Sequence, residues 1–399
     1  MQLFRFSLGE DGGTVEYFLT EEQKMIKELA ARIADERIKP VAAELDEKEE
    51  FPWELMKVLA EADLCGVYIP EEYGGLGGGV FEQVLVVEEL SRACSGVAVS
   101  YAATGLGAFP ILMFGTEEQK RRYLPDIAAG KKLAAFGLTE ANAGSDAGAI
   151  ETTAVRDGDH YVLNGTKQWI TNGGEAEIYT VIAMTDRSKG PRGATAFIVE
   201  KGTPGFSFGK KEKKMGIRAS ATRELVFTDC RIPKENVLGR EGMGFIVAMK
   251  TLDRTRPGIG AQAIGIAQGA LDVAVKYARE RHQFGVPISS FQAIQHMLAD
   301  MATQLEAARA LVYATARMID AGAKEFSKEA AMAKVFASDM AMRVTIDAVQ
   351  VLGGYGYMRD YPVEKMMRDA KITQIYEGTN QIQRNVIALE LIKEYAGRK

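Results

Sequence analysis

The sequence predicts a mainly α protein with a central β domain, and three observations predict it. Apolar residues recur at helical spacing through the first third of the chain. β-branched residues, punctuated by turn dipeptides, then crowd a central stretch. A three-and-four apolar alternation returns in the last third. These changes place a helical domain at 1–132, a β domain at 133–244 and a helical bundle at 245–399. With 399 residues, 47% hydrophobic and 26% charged, the chain has the size for two or three domains and a large core.

Taken in order, Thr20 and Gln23 form a capping-box pattern ahead of Met25, Ile26, Leu29 and Ile33, with Pro40 expected to close that helix. The string Thr-Glu-Glu-Gln-Lys returns at 116–120, the same capping solution used again. Residues 73–79 read as a glycine-rich loop, and 81–103 as one helix with Glu88, Glu89 and Arg92 as its polar face. In the centre, Asp157-Gly158 and Asn164-Gly165 bracket a short strand at 159–163, with Asn164-Gly165 read as a hairpin turn. Strands follow at 166–171, ended by Asn172-Gly173-Gly174, and at 178–185, 194–200 and 225–230. Such spacing predicts an antiparallel sandwich or barrel. Beyond Gly244, Leu298, Met301, Leu305, Ala308, Val312 and Ile319 mark a bundle seam. Ser327 is expected to cap a further long helix that stops at Gly353-Gly354. The apolar surface between 281 and 395 exceeds what one subunit covers, which predicts oligomerisation.

Several function classes lose their support. A net charge of −5 argues against a nucleic-acid partner. Cys65, Cys94 and Cys230 form no CxxC pair and His160, His282 and His296 no HExxH, so no metal and no disulfide framework are expected. Residues 1–14 have no signal-peptide core, and no stretch reads as long and apolar enough to span a bilayer, so a cytoplasmic protein is expected. Residues 258–263 fit G-x-G-x-x-A but lack the preceding strand that gives this pattern its phosphate-binding role. Neither a P-loop nor a G-x-S-x-G elbow occurs.

The stretch 375–385 carries the chemistry: Ile-Tyr-Glu-Gly-Thr-Asn-Gln-Ile-Gln-Arg-Asn. Its lone carboxylate, Glu377, precedes Gly378 and suits a general base at a tight turn, although an incidental acid near a helix start is the commoner reading of such a residue. Four other stretches hold polar groups in unusual company: 136–146, with glycines and hydroxyls; Trp169-Ile170-Thr171; Arg281 and Phe284, three apart as on one helical face, with Gln292 beyond; and Gln350 to Tyr357, where glycines permit close approach of a ligand. A linker loop, a core tryptophan, a solvated arginine and a simple helix cap are their plainer readings.

Together with Glu377, the order and spacing of these stretches resemble the acyl-CoA dehydrogenases, from about residue 20 to the C terminus. Two stretches are highly specific: 137–149, and Gln350 through Gly354, Gly356 and Asp360 to Lys365 and Asp369. The resemblance implies an N-terminal helical domain, a middle antiparallel β-barrel, a C-terminal four-helix bundle, bound FAD and a homotetramer. It implies that Phe136, Leu138, Thr139 and Ser145 line the flavin, with Ser145 also reaching the CoA thioester. Trp169 and Thr171 would wall and hydrogen-bond the flavin ring, and Thr379 and Gln381 would hold FAD beside the base. Arg281 and Gln292, with Gln350, Gly353 and Gly354, would meet the FAD of a neighbouring subunit. Asp253, Arg256 and Gly378 would face the acyl-CoA, and Glu377 would be the catalytic base.

The activity implied is α,β-desaturation of an acyl-CoA, with electrons passed to an electron-transfer flavoprotein; an acyl-CoA oxidase or an enoyl-CoA reductase on the same fold is the alternative. Small residues at 99–105 suggest a short, branched or cyclic acyl group. Two positions depart from relatives. Ala141-Asn142 stands where many carry Pro-Gly, and Thr255 stands where some carry the base instead.

Overall fold

The computed structural model describes residues 17–397; the reading of 1–14 lies outside the described residues. Helix α1 (Glu21–Ile33) starts at a reciprocal cap: the Thr20 hydroxyl accepts the Gln23 N–H at 3.2 Å, and Gln23 Oε1 accepts the Thr20 N–H at 3.1 Å. Pro40 does not close the run. It sits at the start of a tight turn, Lys39–Val41, where its missing N–H costs nothing, and the chain coils on into α2 (Ala42–Lys48). Helix α3 (Trp53–Glu61) follows. The expected helix over 81–103 is two, α4 (Val80–Ala93) and α5 (Ser95–Phe114), because Cys94 is extended at φ −157° and ψ 108°. Helix α6 (Glu117–Ala128) repeats the cap with Thr116 and Gln119.

The β domain contains β1 (Ala134–Gly137), β2 (Thr153–Asp157), β3 (His160–Thr171), β4 (Ile178–Met184), β5 (Ala194–Glu200), β6 (Phe206–Phe208), β7 (Thr222–Pro233) and β8 (Val237–Leu238), in the sheet order β6-β7-β3-β2-β4-β5-β8 with β1 beside β4. Its pairings are antiparallel except β1 with β4 and the single contact of Thr153 with Met184. Asp157-Gly158 makes the expected hairpin between β2 and β3. Asn164-Gly165 does not. It lies within the continuous strand β3, at a slip of register against β7. Asn164 Oδ1 accepts the Asp229 N–H at 2.8 Å across that slip, so the side chain binds the neighbouring strand instead of closing a turn.

The C-terminal domain is built from α7 (Gly244–Glu280), α8 (Gln292–Asp320), α9 (Ser327–Leu352), the short α10 (Gly354–Tyr357), α11 (Val363–Thr373) and α12 (Asn380–Ala396). Helix α9 packs against α7, α8, α11 and α12. The bundle seam is as expected, with Met301, Leu305, Ala308, Val312 and Ile319 all buried. The G-x-G-x-x-A stretch lies inside α7 and serves packing: a Cβ on Gly260 would stand 2.7 Å from Val312 Cγ2. Ser327 does not cap α9; its hydroxyl donates to Asp253 Oδ2 at 2.5 Å. Glu88 is not on a solvent face either. It is buried against α8, accepting from Arg309 Nε at 2.9 Å and from the Tyr313 hydroxyl at 2.7 Å.

By length and composition, α5 and α7 are apolar enough to cross a membrane, which corrects the expectation of no such stretch. Their apolar windows are 72% and 78% buried inside the protein, so they read as core helices. Among the described residues no cluster of His, Cys, Asp and Glu forms a metal site.

Candidate active site

Glu377 sits in the turn between α11 and α12 with φ 52°, and Gly378 follows with φ 90°. A left-handed glutamate is unfavourable unless its surroundings hold it. Here they do. Gln383 Nε2 donates to the carbonyls of Glu377 (3.0 Å) and Gly378 (2.9 Å), Arg256 Nε to the Glu377 carbonyl (3.4 Å), and Lys334 Nζ to the Gly378 carbonyl (2.8 Å). Thr379 then caps α12, its hydroxyl accepting the Ile382 N–H at 3.3 Å.

The Glu377 carboxyl accepts a side-chain hydrogen bond from the Thr255 hydroxyl, to Oε2 at 2.8 Å. Burial raises its pKa to about 7, against the opposing pull of Thr255, Arg256 and Lys334. A carboxyl tuned to neutrality is a competent base at neutral pH.

Trp169 reaches the same place from β3. Its register with β7 slips between Lys167 and Ile170, so Gln168 and Trp169 bulge, and Trp169 takes φ 58° and stays 58% exposed. A bulge re-aims a side chain, and this one turns a large flat ring toward open space. The Gln168 N–H ties the bulge to the loop after β1 through the Thr139 carbonyl at 2.8 Å. Beneath that loop the fully buried Lys167 donates to the Leu138 carbonyl (3.0 Å) and to Glu140 (2.6 Å), which also accepts the N–H groups of Glu151 and Thr152. Ala141-Asn142 forms the tip of a turn closed by paired hydrogen bonds between Glu140 and Ala143.

Two cavities meet at this point, and both touch Thr139, Gly144, Ser145, Trp169, Thr171, Tyr376, Glu377 and Gly378. The larger, about 620 Å³, extends past Met215, Ile217 and Thr379. The other, about 420 Å³, runs past Val99, Ala103, Phe136, Leu138, Leu252 and Arg256. Ten of the residues singled out from sequence therefore come together: Phe136, Leu138, Thr139, Ser145, Trp169, Thr171, Arg256, Glu377, Gly378 and Thr379.

The others do not line these cavities. Asp253 is buried behind Arg256, bonded to its Nη1 at 2.6 Å. Gln381 is exposed on the first turn of α12, and Arg281, Gln292, Gln350, Gly353 and Gly354 are exposed on the bundle surface. Arg281 and Phe284 do not share a helical face. Helix α7 ends at Glu280, and Phe284 sits at the tip of a small hairpin made by β9 (His282–Gln283) and β10 (Val286–Pro287). Sequence reasoning missed Lys334 and the wall at 212–217, and it gave no part to Thr255 or to Gln383, although Gln383 lies in the 375–385 stretch. A lysine among buried alanines in α9 was the available signal for Lys334.

The acyl-CoA dehydrogenase N-terminal, middle and C-terminal domain models match residues 20–131, 135–230 and 242–392. The chain belongs to the acyl-CoA dehydrogenase family. It is 53% identical to the acryloyl-CoA reductase (NADH) of Anaerotignum propionicum over 95% of this chain and 96% of that one. Butyryl-CoA dehydrogenase from Megasphaera elsdenii shares its fold at a TM-score of 0.93 with 51% identity, covering 95% and 100% of the two chains. A chain from a structure of the electron transferring flavoprotein of Acidaminococcus fermentans, concerned with flavin-based electron bifurcation, matches at a TM-score of 0.93 and 56% identity over 94% and 99%.

Members of this acyl-CoA dehydrogenase family are FAD-dependent oxidoreductases acting on a CH–CH bond, and this chain is a flavoprotein of that kind. The larger cavity fits the cofactor. It is walled by an aromatic face held out by a bulge, flanked by the hydroxyls of Thr139, Ser145 and Thr171, and long enough to reach Glu377.

Proposed function

We propose that this acyl-CoA dehydrogenase family member desaturates a short acyl-CoA at its α,β bond, taking FAD in the larger cavity and the acyl chain in the smaller one. Glu377 carries the reading: one carboxyl borders both cavities, with a pKa raised to about 7. FAD, when bound, supplies the hydride acceptor that no side chain provides. The rest falls to the protein. Glu377 accepts the α-proton. Its peptide N–H donates to the thioester oxygen and stabilises charge developing there as the proton leaves. Trp169 and Thr171 would wall the flavin ring and Thr139, Ser145 and Thr379 would hold it. Phe136 and Leu138, expected at the flavin, border the acyl arm, where Asp253 steadies Arg256, and Gln381 stands outside both cavities.

The surface placement of Arg281, Gln292, Gln350, Gly353 and Gly354 suits contact with the FAD of a neighbour in a homotetramer. Val99, Ala102 and Ala103 on α5 make a small-residue wall, which favours a short, branched or cyclic acyl group, and likeness to a butyryl-CoA dehydrogenase agrees. Likeness to a chain from an electron transferring flavoprotein structure supports such a flavoprotein as the electron acceptor. Three free, buried cysteines suit a reducing cytoplasm.

The relative named acryloyl-CoA reductase favours a second reading, the reverse reaction on the same site. A panel of acyl-CoAs scored by anaerobic flavin bleaching decides. Rapid bleaching by butyryl-CoA supports desaturation. The reductase reading instead expects chemically reduced enzyme to be reoxidised by acryloyl-CoA far faster than any saturated acyl-CoA bleaches the oxidised form. Fast peroxide formation on admitting oxygen would mark an oxidase.

A further inference from the structure

Lys334 takes no step in the reaction proposed above, yet it is fully buried on α9, where Ala330, Ala331, Ala333 and Ala337 are buried too. Its Nζ donates to the Gly378 carbonyl and to Asn380 Oδ1, each at 2.8 Å, and both partners are neutral. A buried ammonium without a directly bonded carboxylate is costly, and burial lowers its pKa to about 7. Gln383, also fully buried, grips the Glu377 and Gly378 carbonyls from the same side, joined by Arg256. In a trans peptide the N–H points away from the carbonyl. Holding the Glu377 carbonyl toward the bundle, as Gln383 and Arg256 do, therefore turns the Gly378 N–H the other way. Holding the Gly378 carbonyl, as Lys334 and Gln383 do, fixes the next peptide, so that together they set the backbone that bears the Glu377 carboxyl. Among the described residues neither the Glu377 nor the Gly378 N–H has a protein acceptor.

We infer that Lys334, with Gln383, is a positioning residue: the pair clamps the carbonyl side of the Glu377–Gly378 turn and so sets where the base and the free N–H groups meet substrate. This rests on the function proposed above and adds to it the device that holds the strained turn.

The charges around the clamp give it a signature. Glu377, Arg256 and Asp339 face Lys334, with Arg256 paired to Asp253 and Asp339 to Arg384. Glu377 itself is faced by Thr255, Arg256 and Lys334. Removing the ammonium takes away a positive charge that favours the carboxylate, so the Glu377 pKa rises. Losing Gln383 removes a donor but no charge.

The test is anaerobic flavin bleaching by butyryl-CoA across pH in Lys334→Met and Gln383→Leu holoenzymes, with FAD content and crotonyl-CoA affinity as controls. Lys334→Met should bleach roughly tenfold or more slowly, its acid limb moved to higher pH, with both controls kept. Gln383→Leu should bleach more slowly with its acid limb in place. An unmoved acid limb in Lys334→Met, or parental bleaching in Gln383→Leu, would overturn the clamp. Should Lys334→Met fail to hold FAD, the Gln383→Leu rate decides alone. If the parent enzyme itself is bleached by no acyl-CoA, the proposed function falls instead.

Discussion

The Thr255 hydroxyl, on α7, donates to Oε2 of Glu377 at 2.8 Å. Here that helix supplies a partner for the base. A hydrogen bond to the ionised carboxyl lowers its pKa, so Thr255 holds Glu377 below the value that burial alone would set.

Thr255→Val should therefore raise the Glu377 pKa further above about 7. Because the base must be ionised to accept the α-proton, the rate rises with pH through that pKa. The acid limb of flavin bleaching should move up by roughly half to one pH unit in the variant, with the high-pH plateau little changed. An unmoved limb would show that the hydrogen bond does not tune the base.

Trp169 is 58% exposed and touches both cavities, so it contributes more to what fills them than to the core. Trp169→Ala should change thermal stability of the cofactor-free protein by only about 1 kcal/mol or less. FAD should be lost on gel filtration. Full retention of FAD with a large drop in stability would instead make Trp169 a packing residue.

The Lys167–Glu140 pair is buried at both ends, at 2.6 Å. Removing one partner strands the other charge, so Lys167→Met should cost about 3–5 kcal/mol in denaturant unfolding. The double variant Lys167→Met with Glu140→Gln should recover part of that loss. A double variant no better than the single one would mean that loop geometry, not stranded charge, sets the cost.

Ala103 lines the acyl arm beside Val99 and Leu252. Ala103→Leu should lower kcat/KM for hexanoyl-CoA about tenfold more than for butyryl-CoA, the usual scale for a methylene-sized misfit. Equal losses for both would remove α5 from the acyl site.

The legible parts of the fold were those written in local chemistry. Thr20 with Gln23 and Thr116 with Gln119 announce helix starts because the cap lies wholly within a few residues. The misread parts depend on distant partners. Ser327 looks like a cap until Asp253 takes its hydroxyl, and Asn164-Gly165 looks like a hairpin until Asp229 binds it from β7. Cys94 separates two helices that composition would join, and Arg281 belongs to a helix end that Phe284 never shares. At the site, Glu377 and the glycine-bearing stretches were visible as motifs. Of their carbonyl-side supports, Lys334 lies 43 residues before the base and carries no motif, while Gln383, 6 after it, stands inside the 375–385 stretch with nothing in the sequence to say that it turns back onto the base's own carbonyl. Nor does a β-bulge at Trp169 show in a sequence read for alternation, since the slip is defined only against β7.

The central claim is that Glu377 removes the α-proton, and Glu377→Gln tests it most directly. The amide keeps the size of the side chain and cannot accept the proton. The variant should retain FAD while anaerobic flavin bleaching by butyryl-CoA slows by roughly 10²–10⁴ or more. Bleaching at the parental rate would contradict the assignment.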